Sequence, residues 1–102
     1  MQLIGLDVLR AAGKKDKPLR TVLELWAATV IDAEWSNIDD VRKTYPSADG
    51  VTLGSGTVIT IFNIKGNNYR LLSWIDYDSM YVEALEVITH AEYDKNFWKA
   101  RY

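Results

Sequence analysis

Cationic and phenolic side chains in the C-terminal half are the residues best suited to chemistry in this sequence. His90 is the only histidine, Tyr93 and Lys95 follow it closely, and Arg70 precedes it in a segment rich in asparagine. Guanidinium and ammonium groups bind phosphate, and an imidazole exchanges protons near neutral pH. RNA cleavage by the adjacent 2′-hydroxyl needs a base, cations beside phosphorus and an acid. These four side chains could supply all three without a metal.

Residue counts and missing motifs exclude several other chemistries. One histidine cannot form an acid–base pair of imidazoles, and without cysteine there is no disulfide, thiolate metal site or cysteine nucleophile. Neither H-E-x-x-H nor a glycine-rich phosphate loop occurs. The neighbouring carboxylates of Asp39 and Asp40 are better explained by the first turn of a helix, where acidic residues are favourable. We therefore expect no metal and no cofactor.

Length and composition indicate one folded domain over residues 1–102. The chain has 48% hydrophobic and 25% charged residues, and no apolar segment approaches the length of a membrane span. We expect a cytoplasmic protein without a membrane partner. The formal net charge of −2 argues against bulk binding of nucleic acid, so any RNA contact must be a local patch. A second cationic stretch lies near the N-terminus and contains Arg10, Lys14, Lys15, Lys17 and Arg20.

The N-terminal half is predicted to be mainly helical. Residues 2–6 could form a short strand, and Asp7 is a plausible N-cap for a short helix closed by Gly13. Pro18 suits the first turn of the main helix, whose apolar residues recur at helical spacing through Ala33. Ser36 or Asn37 can cap a further short helix that ends before Pro46. The segments 49–50 and 54–56 have the composition of turns.

The C-terminal half is predicted to be a sheet followed by a helix. Residues 57–64, 68–76 and 81–88 are rich in β-branched and aromatic residues, and their short connections favour antiparallel pairing. Alternation places Arg70 and Leu72 on one face of the middle strand. Thr89-His90-Ala91-Glu92 matches a capping box, so a helix should begin near His90. The predicted fold class is α+β: a short strand, two to three helices, a three-stranded antiparallel meander and a C-terminal helix, with Trp26 and Trp74 inside.

Two segments resemble the signature segments of the HigB toxins, mRNA-cleaving members of the RelE-like superfamily. They are FNIKGNNYRLL (Phe62 to Leu72) and ITHAEYDK (Ile88 to Lys95), in the same order and at similar spacing. The TYPSAD segment from Thr44 to Asp49 and the chain length agree more loosely. The resemblance implies a RelE-like domain that cleaves mRNA on the ribosome and is neutralised by a helix-turn-helix antitoxin of the HigA type.

The same resemblance implies which residues act. It matches Arg70, His90, Tyr93 and Lys95 to the catalytic positions of the family. The expected RNA-binding residues are Lys65, Asn67, Asn68, Tyr69 and Lys99. In this interpretation Arg70 and Lys95 hold the scissile phosphate, and His90 and Tyr93 share proton transfer with base and acid unassigned.

Structural explanations exist for the same residues. Arg70 could form an ion pair with Asp76, Glu86 or Asp94, since an inward arginine needs a partner. His90, Tyr93 and Phe97 could together form the buried stripe of an ordinary helix. Two non-catalytic functions also fit the sequence, namely a RelE-like module that binds a protein and a regulator that binds RNA without cutting it.

Overall fold

The computed structural model describes all residues, 1 to 102, and has the predicted α+β composition. Its strands are β1 (Gln2–Ile4), β2 (Asp49–Thr52), β3 (Val58–Ile64), β4 (Tyr69–Asp76) and β5 (Tyr81–Thr89). Its α-helices are α1 (Leu6–Gly13), α2 (Lys17–Asp32), α3 (Ile38–Thr44) and α4 (His90–Asp94), and a 3-10 helix (Phe97–Arg101) ends the chain. None of these helices has the length and apolar character that crossing a membrane requires.

The strands form one mixed sheet in the order β1-β5-β4-β3-β2. The predicted meander β3-β4-β5 is present, but the prediction of three strands was incomplete. β1 pairs in parallel with β5, and β2 pairs antiparallel with β3, where Asp49 lies opposite Ile61. The segment at Asp49-Gly50 was interpreted as a turn because both residue types are rare in strands. Its ladder with β3 outweighs that weak preference.

The helix boundaries follow from local capping in most places. Asp16 caps α2, its side chain accepting a hydrogen bond from the Leu19 amide at 3.1 Å, and Pro18 lies in the first turn. Asn37, the second of the two predicted caps, accepts from the Asp40 amide at 3.0 Å and begins α3.

The start of α1 differs from the prediction. Asp7 lies inside the first turn, and Gly5 precedes the helix with a φ of 95°. A Cβ at Gly5 would collide with the carbonyl oxygen of Ala84 in β5. The start of α1 is therefore set by the close packing of Gly5 on β5. This long-range contact cannot be seen in the local sequence.

Apolar side chains fill both faces of the sheet. On one face, α1, α2 and α3 pack on β3, β4 and β5 around Trp26 and Phe62, whose rings meet edge to face at 5.3 Å. The opposite face has a smaller cluster that consists of Leu53, Ile59, Ile61, Leu72, Ile88 and Trp98. Trp26 is buried as predicted, whereas the prediction of a buried Trp74 was wrong, since its ring is only partly covered and packs against Tyr81.

The predicted C-terminal helix is short. α4 stops after Asp94, and Asn96 adopts a left-handed conformation with a φ of 63° before the 3-10 helix begins. Trp98 is therefore the residue that reaches the smaller core, while 74% of Phe97 is exposed. The stripe of His90, Tyr93 and Phe97 expected for an ordinary helix does not form, because the chain turns between Tyr93 and Phe97.

Candidate functional site

The start of β4 and the end of β5 form one corner of the sheet and bring the two signature segments together. Arg70 of β4 lies opposite Ile88 of β5, and the amide of His90 donates a hydrogen bond to the carbonyl of Asn68 at 3.0 Å. Thr89 caps α4 by accepting from the Glu92 amide at 3.1 Å. The half of the predicted capping box in which the Thr89 hydroxyl accepts from the Glu92 amide is therefore formed. α4 begins at His90 as expected.

Arg70 lies in this corner on the face of the smaller core, and only 8% of the residue is exposed. Its Nη2 donates to the amide oxygen Oδ1 of Asn67 at 2.6 Å. Its Nη1 donates to the carbonyls of Asn67 at 3.3 Å and Tyr69 at 3.1 Å. The turn before β4 therefore holds the guanidinium in place with neutral acceptors.

No carboxylate pairs with Arg70. None of the ion pairs in the protein, taken to a limit of 4.0 Å, involves it. The three partners considered from the sequence are engaged elsewhere: Glu86 binds Arg101, Asp94 binds His90, and Asp76 accepts from backbone amides. Three hydrogen bonds use at most three of the five N–H groups of a guanidinium, so at least two remain for a ligand.

Tyr93 lies beneath this guanidinium and is half-buried. The Cζ atom of Arg70 is 5.6 Å from the centre of the Tyr93 ring, a cation–π distance. The ring also stacks on Trp98, with 5.3 Å between the centroids and 13° between the planes. Burial raises the pKa of the Tyr93 phenol, and the carboxylates of Asp49 and Asp94 add to the rise against the lowering effect of Arg70. The phenol is therefore protonated at neutral pH.

His90 forms a pair with Asp94 one turn along α4. Its Nε2 is 3.1 Å from the Asp94 carboxylate oxygen Oδ2, while Nδ1 is buried and has no hydrogen-bond partner. Because a carboxylate only accepts hydrogen bonds, Nε2 carries the hydrogen in this pair, and Asp94 occupies the more exposed nitrogen of the ring. No group of three His, Cys, Asp or Glu side chains that could hold a metal ion occurs in the structure. Asp94 was expected only as a partner for Arg70, although its i, i+4 spacing to His90 could have revealed this pair.

Lys95, Lys99 and Asn68 lie at the surface of the same corner. Lys95 ends α4, and its side chain makes no ion pair. The Nζ atom of Lys99 is 5.8 Å from the centre of the Trp98 ring. Lys99 is therefore joined to the Arg70 and Tyr93 pair through the Trp98 ring, and Lys95 is exposed two residues after Tyr93 in the chain. Asn68 contributes its backbone carbonyl to the start of α4.

Lys65 and Tyr69 are directed to a different part of the protein. Both contact Asp16 at the start of α2, Lys65 through Nζ at 2.8 Å and Tyr69 through its hydroxyl at 3.3 Å. Tyr69 also packs against the larger core, on the face of β4 opposite Arg70. The structure therefore brings together Arg70, Asn67 and Tyr93. It holds the backbone of His90 against Asn68 and places Lys99 over Trp98. It gives Lys65 and Tyr69 a structural contact with Asp16.

Comparison with known proteins identifies a family for this fold and corner. A family model described as HigB toxin, RelE-like toxic component of a toxin–antitoxin system, matches residues 19–96. Two curated relatives are the mRNA interferase toxin HigB of Escherichia coli strain K12 and the mRNA interferase HigB of Shigella flexneri. Each is 27% identical over 94 residues, which cover 92% of this chain and 88% of the relative.

The match includes β3, β4, β5 and α4, the elements that form the corner around Arg70, together with α2 and α3. It covers well over half of the chain, and the relatives extend the similarity to nearly its full length. The chain therefore belongs to the HigB toxin family, the RelE-like toxic components of toxin–antitoxin systems.

Proposed function

We propose that this protein is an endoribonuclease toxin that cleaves mRNA on the ribosome and is neutralised by a helix-turn-helix antitoxin of the HigA type. Membership of the HigB family and the name mRNA interferase of its relatives support the activity. The observation that carries the proposal in this chain is the buried guanidinium of Arg70 without a carboxylate partner.

An unpaired buried charge is costly, and proteins normally pair it or bind a ligand to it. The oxygens of Asn67 and Tyr69 accept hydrogen bonds from some of the guanidinium N–H groups. Both acceptors are neutral, so they do not neutralise the positive charge of Arg70. A phosphate can accept two parallel N–H bonds from an arginine, which suits the donors that remain. Arg70 is therefore arranged to bind an anion, and Lys95, exposed two residues after Tyr93 in the chain, supplies a second cation for the substrate.

The reaction we propose is attack of a 2′-hydroxyl on the neighbouring phosphorus. For this step His90 leaves the Asp94 carboxylate, so that Nε2 is free and unprotonated. Nε2 then takes the proton of the 2′-hydroxyl, the new bond from O2′ to phosphorus forms, and the bond to the 5′-oxygen breaks. The Tyr93 phenol is protonated at neutral pH, since its ordinary pKa of 10.0 already lies well above 7 and burial raises it further, and it donates its proton to the leaving 5′-oxygen. Arg70 and Lys95 stabilise the charge that builds on the phosphate. Solvent then returns the proton from His90 to Tyr93.

This chemistry leaves a 2′,3′-cyclic phosphate on one product and a 5′-hydroxyl on the other. After a short pulse of expression, new 5′ ends in translated messages should ligate to an adapter only after phosphorylation by a kinase. A ribosome programmed with one short mRNA should give the same ends in a purified reaction. New 5′ ends that ligate without the kinase would contradict the mechanism.

The decisive variants change Arg70. We expect Arg70→Ala to lose about 100-fold or more in cleavage, and Arg70→Lys to recover only part, since an ammonium cannot form the paired bonds of a guanidinium. Arg20→Ala is the matched control, because Arg20 is an exposed arginine of α2 whose ion pair with Glu24 lies outside the corner. Cleavage by folded Arg70→Ala at the wild-type rate would overturn the proposal.

The same experiments separate the two non-catalytic functions. Growth arrest with intact transcripts would indicate a regulator that binds RNA without cutting it. Harmless expression together with tight binding of the antitoxin would indicate a protein-binding module.

A further inference from the structure

Phe97 is the most exposed large hydrophobic residue of the protein, with 74% of its surface open to solvent. Leu25 and Ile31 of α2 follow at 65% and 57%. Single apolar residues at a surface are common, so exposure alone indicates little. The surroundings of Phe97 are what distinguish it from the other two.

The segment after Phe97 is firmly held and is not a frayed chain end. Trp98 is 1% exposed, and its indole Nε1 donates to the carbonyl of Tyr93 at 3.1 Å. Arg101 forms two bonds with Glu86 at 2.9 and 2.8 Å, and the Tyr102 hydroxyl donates to the same carboxylate. The Phe97 ring is thus exposed on a backbone that is fixed on the side of the Arg70 corner.

The backbone before Phe97 explains why this ring points outward. Asn96 adopts a left-handed conformation with a φ of 63°, which interrupts the helical path after α4. Had α4 continued, Phe97 would follow Tyr93 by four residues on the same face. The turn instead sends Trp98 into the core and leaves Phe97 outside. Asparagine tolerates this conformation better than most residues, so the exposed position of Phe97 follows from the sequence.

Charge around Phe97 indicates the class of ligand. Lys95 and Lys99 stand two residues before and two residues after it, both exposed and neither in an ion pair. The next residue, Trp98, stacks on Tyr93, whose ring contacts the guanidinium of Arg70. An exposed aromatic ring and unpaired cations within one short segment, joined through Trp98 and Tyr93 to an arginine without a carboxylate partner, are features with which proteins bind single-stranded RNA.

We propose that Phe97 stacks on a nucleobase of the mRNA near the phosphate held by Arg70, and so binds the strand at this site. The inference rests on the proposed ribonuclease function and assigns that site a substrate-binding residue. A stacked base is bound in the ground state and in the transition state alike. Phe97 therefore contributes to substrate affinity and not to the chemical step.

The test compares steady-state cleavage of one short mRNA on programmed ribosomes by Phe97 variants. Phe97→Ala and Phe97→Leu should raise KM about 10-fold with kcat unchanged, the size expected for one lost stacking contact. Phe97→Tyr and Phe97→Trp should cleave like the wild type because they keep an aromatic ring. Leu25→Ala, which removes a comparably exposed apolar side chain from α2, is the control and should change neither constant.

A second substrate isolates the stacking contact from any structural effect. Removing the base at one nucleotide beside the cleaved bond should raise KM for the wild type. For Phe97→Ala, KM should be the same with this substrate as with the intact message. A Phe97→Ala protein with wild-type KM would overturn the inference while leaving the nuclease proposal intact. Normal cleavage together with escape from the antitoxin would also overturn it and assign Phe97 to a protein interface. Absence of cleavage by the wild type would overturn both proposals.

Discussion

At the scale of single residues, the decisive feature is an arginine whose neighbours are neutral. Asn67 supplies the closest contact to Arg70, from Oδ1 to Nη2 at 2.6 Å, and Tyr93 covers one face of the guanidinium. The alternation of β4 correctly predicted the face on which Arg70 lies. It could not predict that Asn67 rather than a carboxylate would hold the side chain, because that choice depends on how the turn folds back on β4.

Replacing Asn67 by aspartate tests whether the unbalanced charge matters. Asn67→Asp places a carboxylate at the atom that now accepts from Nη2, so Arg70 gains an ion pair and the phosphate loses a partner. We expect cleavage to fall about 10-fold to 100-fold, the range of one hydrogen bond to a charged group. The melting temperature should stay the same or rise. Parallel measurements of cleavage and thermal unfolding check both parts.

Asn67→Ala is the matched control, since it removes the same contact without adding charge. It should reduce cleavage less than Asn67→Asp does, because the guanidinium stays free to bind phosphate. If the aspartate variant cuts as fast as the wild type, the charge of Arg70 has no role in substrate binding.

At the scale of elements, local signals predicted helix starts and the central strands, and long-range pairing decided the rest. Pro18, Asn37 and Thr89 mark helix starts through capping and first-turn preferences that act within a few residues. β2 was missed because Asp49 and Gly50 form a strand only when β3 is beside them. The left-handed turn at Asn96 was not predicted either. For that reason the exposure of Phe97 and the burial of Trp98 were not predicted.

One contact between elements gives a prediction for stability. Asp16 joins the start of α2 to the turn between β3 and β4 by contacting Lys65. The pKa of Asp16 is lowered from its ordinary 3.8 by the hydrogen bond and charge interaction with Lys65 and by the hydrogen bond from the Leu19 amide. A lowered folded-state pKa stabilises the protein above pH 3.8, and the gain is lost as pH falls through the folded-state value.

Asp16→Asn should therefore lower the melting temperature at pH 7, and the difference from wild type should shrink below about pH 4. Asparagine can still cap α2, so the substitution mainly removes the contact with Lys65. In a Lys65→Met background the same substitution should have a smaller effect at pH 7. Asp32→Asn, at a carboxylate without an ion pair, is the control. If the difference in melting temperature between Asp16→Asn and wild type does not change with pH, the stability is lost at the helix cap and not at the ion pair with Lys65.

At the scale of the whole molecule, the sheet separates two surfaces. The helices α1, α2 and α3 cover one face around the larger core, and the corner with Arg70 and Tyr93 lies on the other face beside the smaller core. The chain carries 12 basic and 14 acidic side chains, so its average field does not attract RNA. Binding must therefore depend on the few cations that the corner concentrates.

The number of those cations predicts how salt affects binding of a short single-stranded RNA to the free protein. Three phosphate contacts, from Arg70, Lys95 and Lys99, give a slope of about −2 for log affinity against log salt, at about −0.7 per contact. Lys95→Ala and Lys99→Ala should each make the slope shallower by about 0.7. Fluorescence anisotropy of a labelled RNA across a salt series measures these slopes.

The N-terminal cations supply the control for the same experiment. Lys14 and Lys15 lie at the end of α1, which packs on the sheet face opposite Arg70, so Lys14→Ala with Lys15→Ala should leave the slope unchanged. A slope of about −3.5 in the wild type, the value for five contacts, that this double substitution reduces to about −2 would show that RNA also follows the helical face. The slope depends on the number of phosphates that the protein neutralises. If it is about −2 and changes only when Lys95 or Lys99 is replaced, RNA binds at the corner alone.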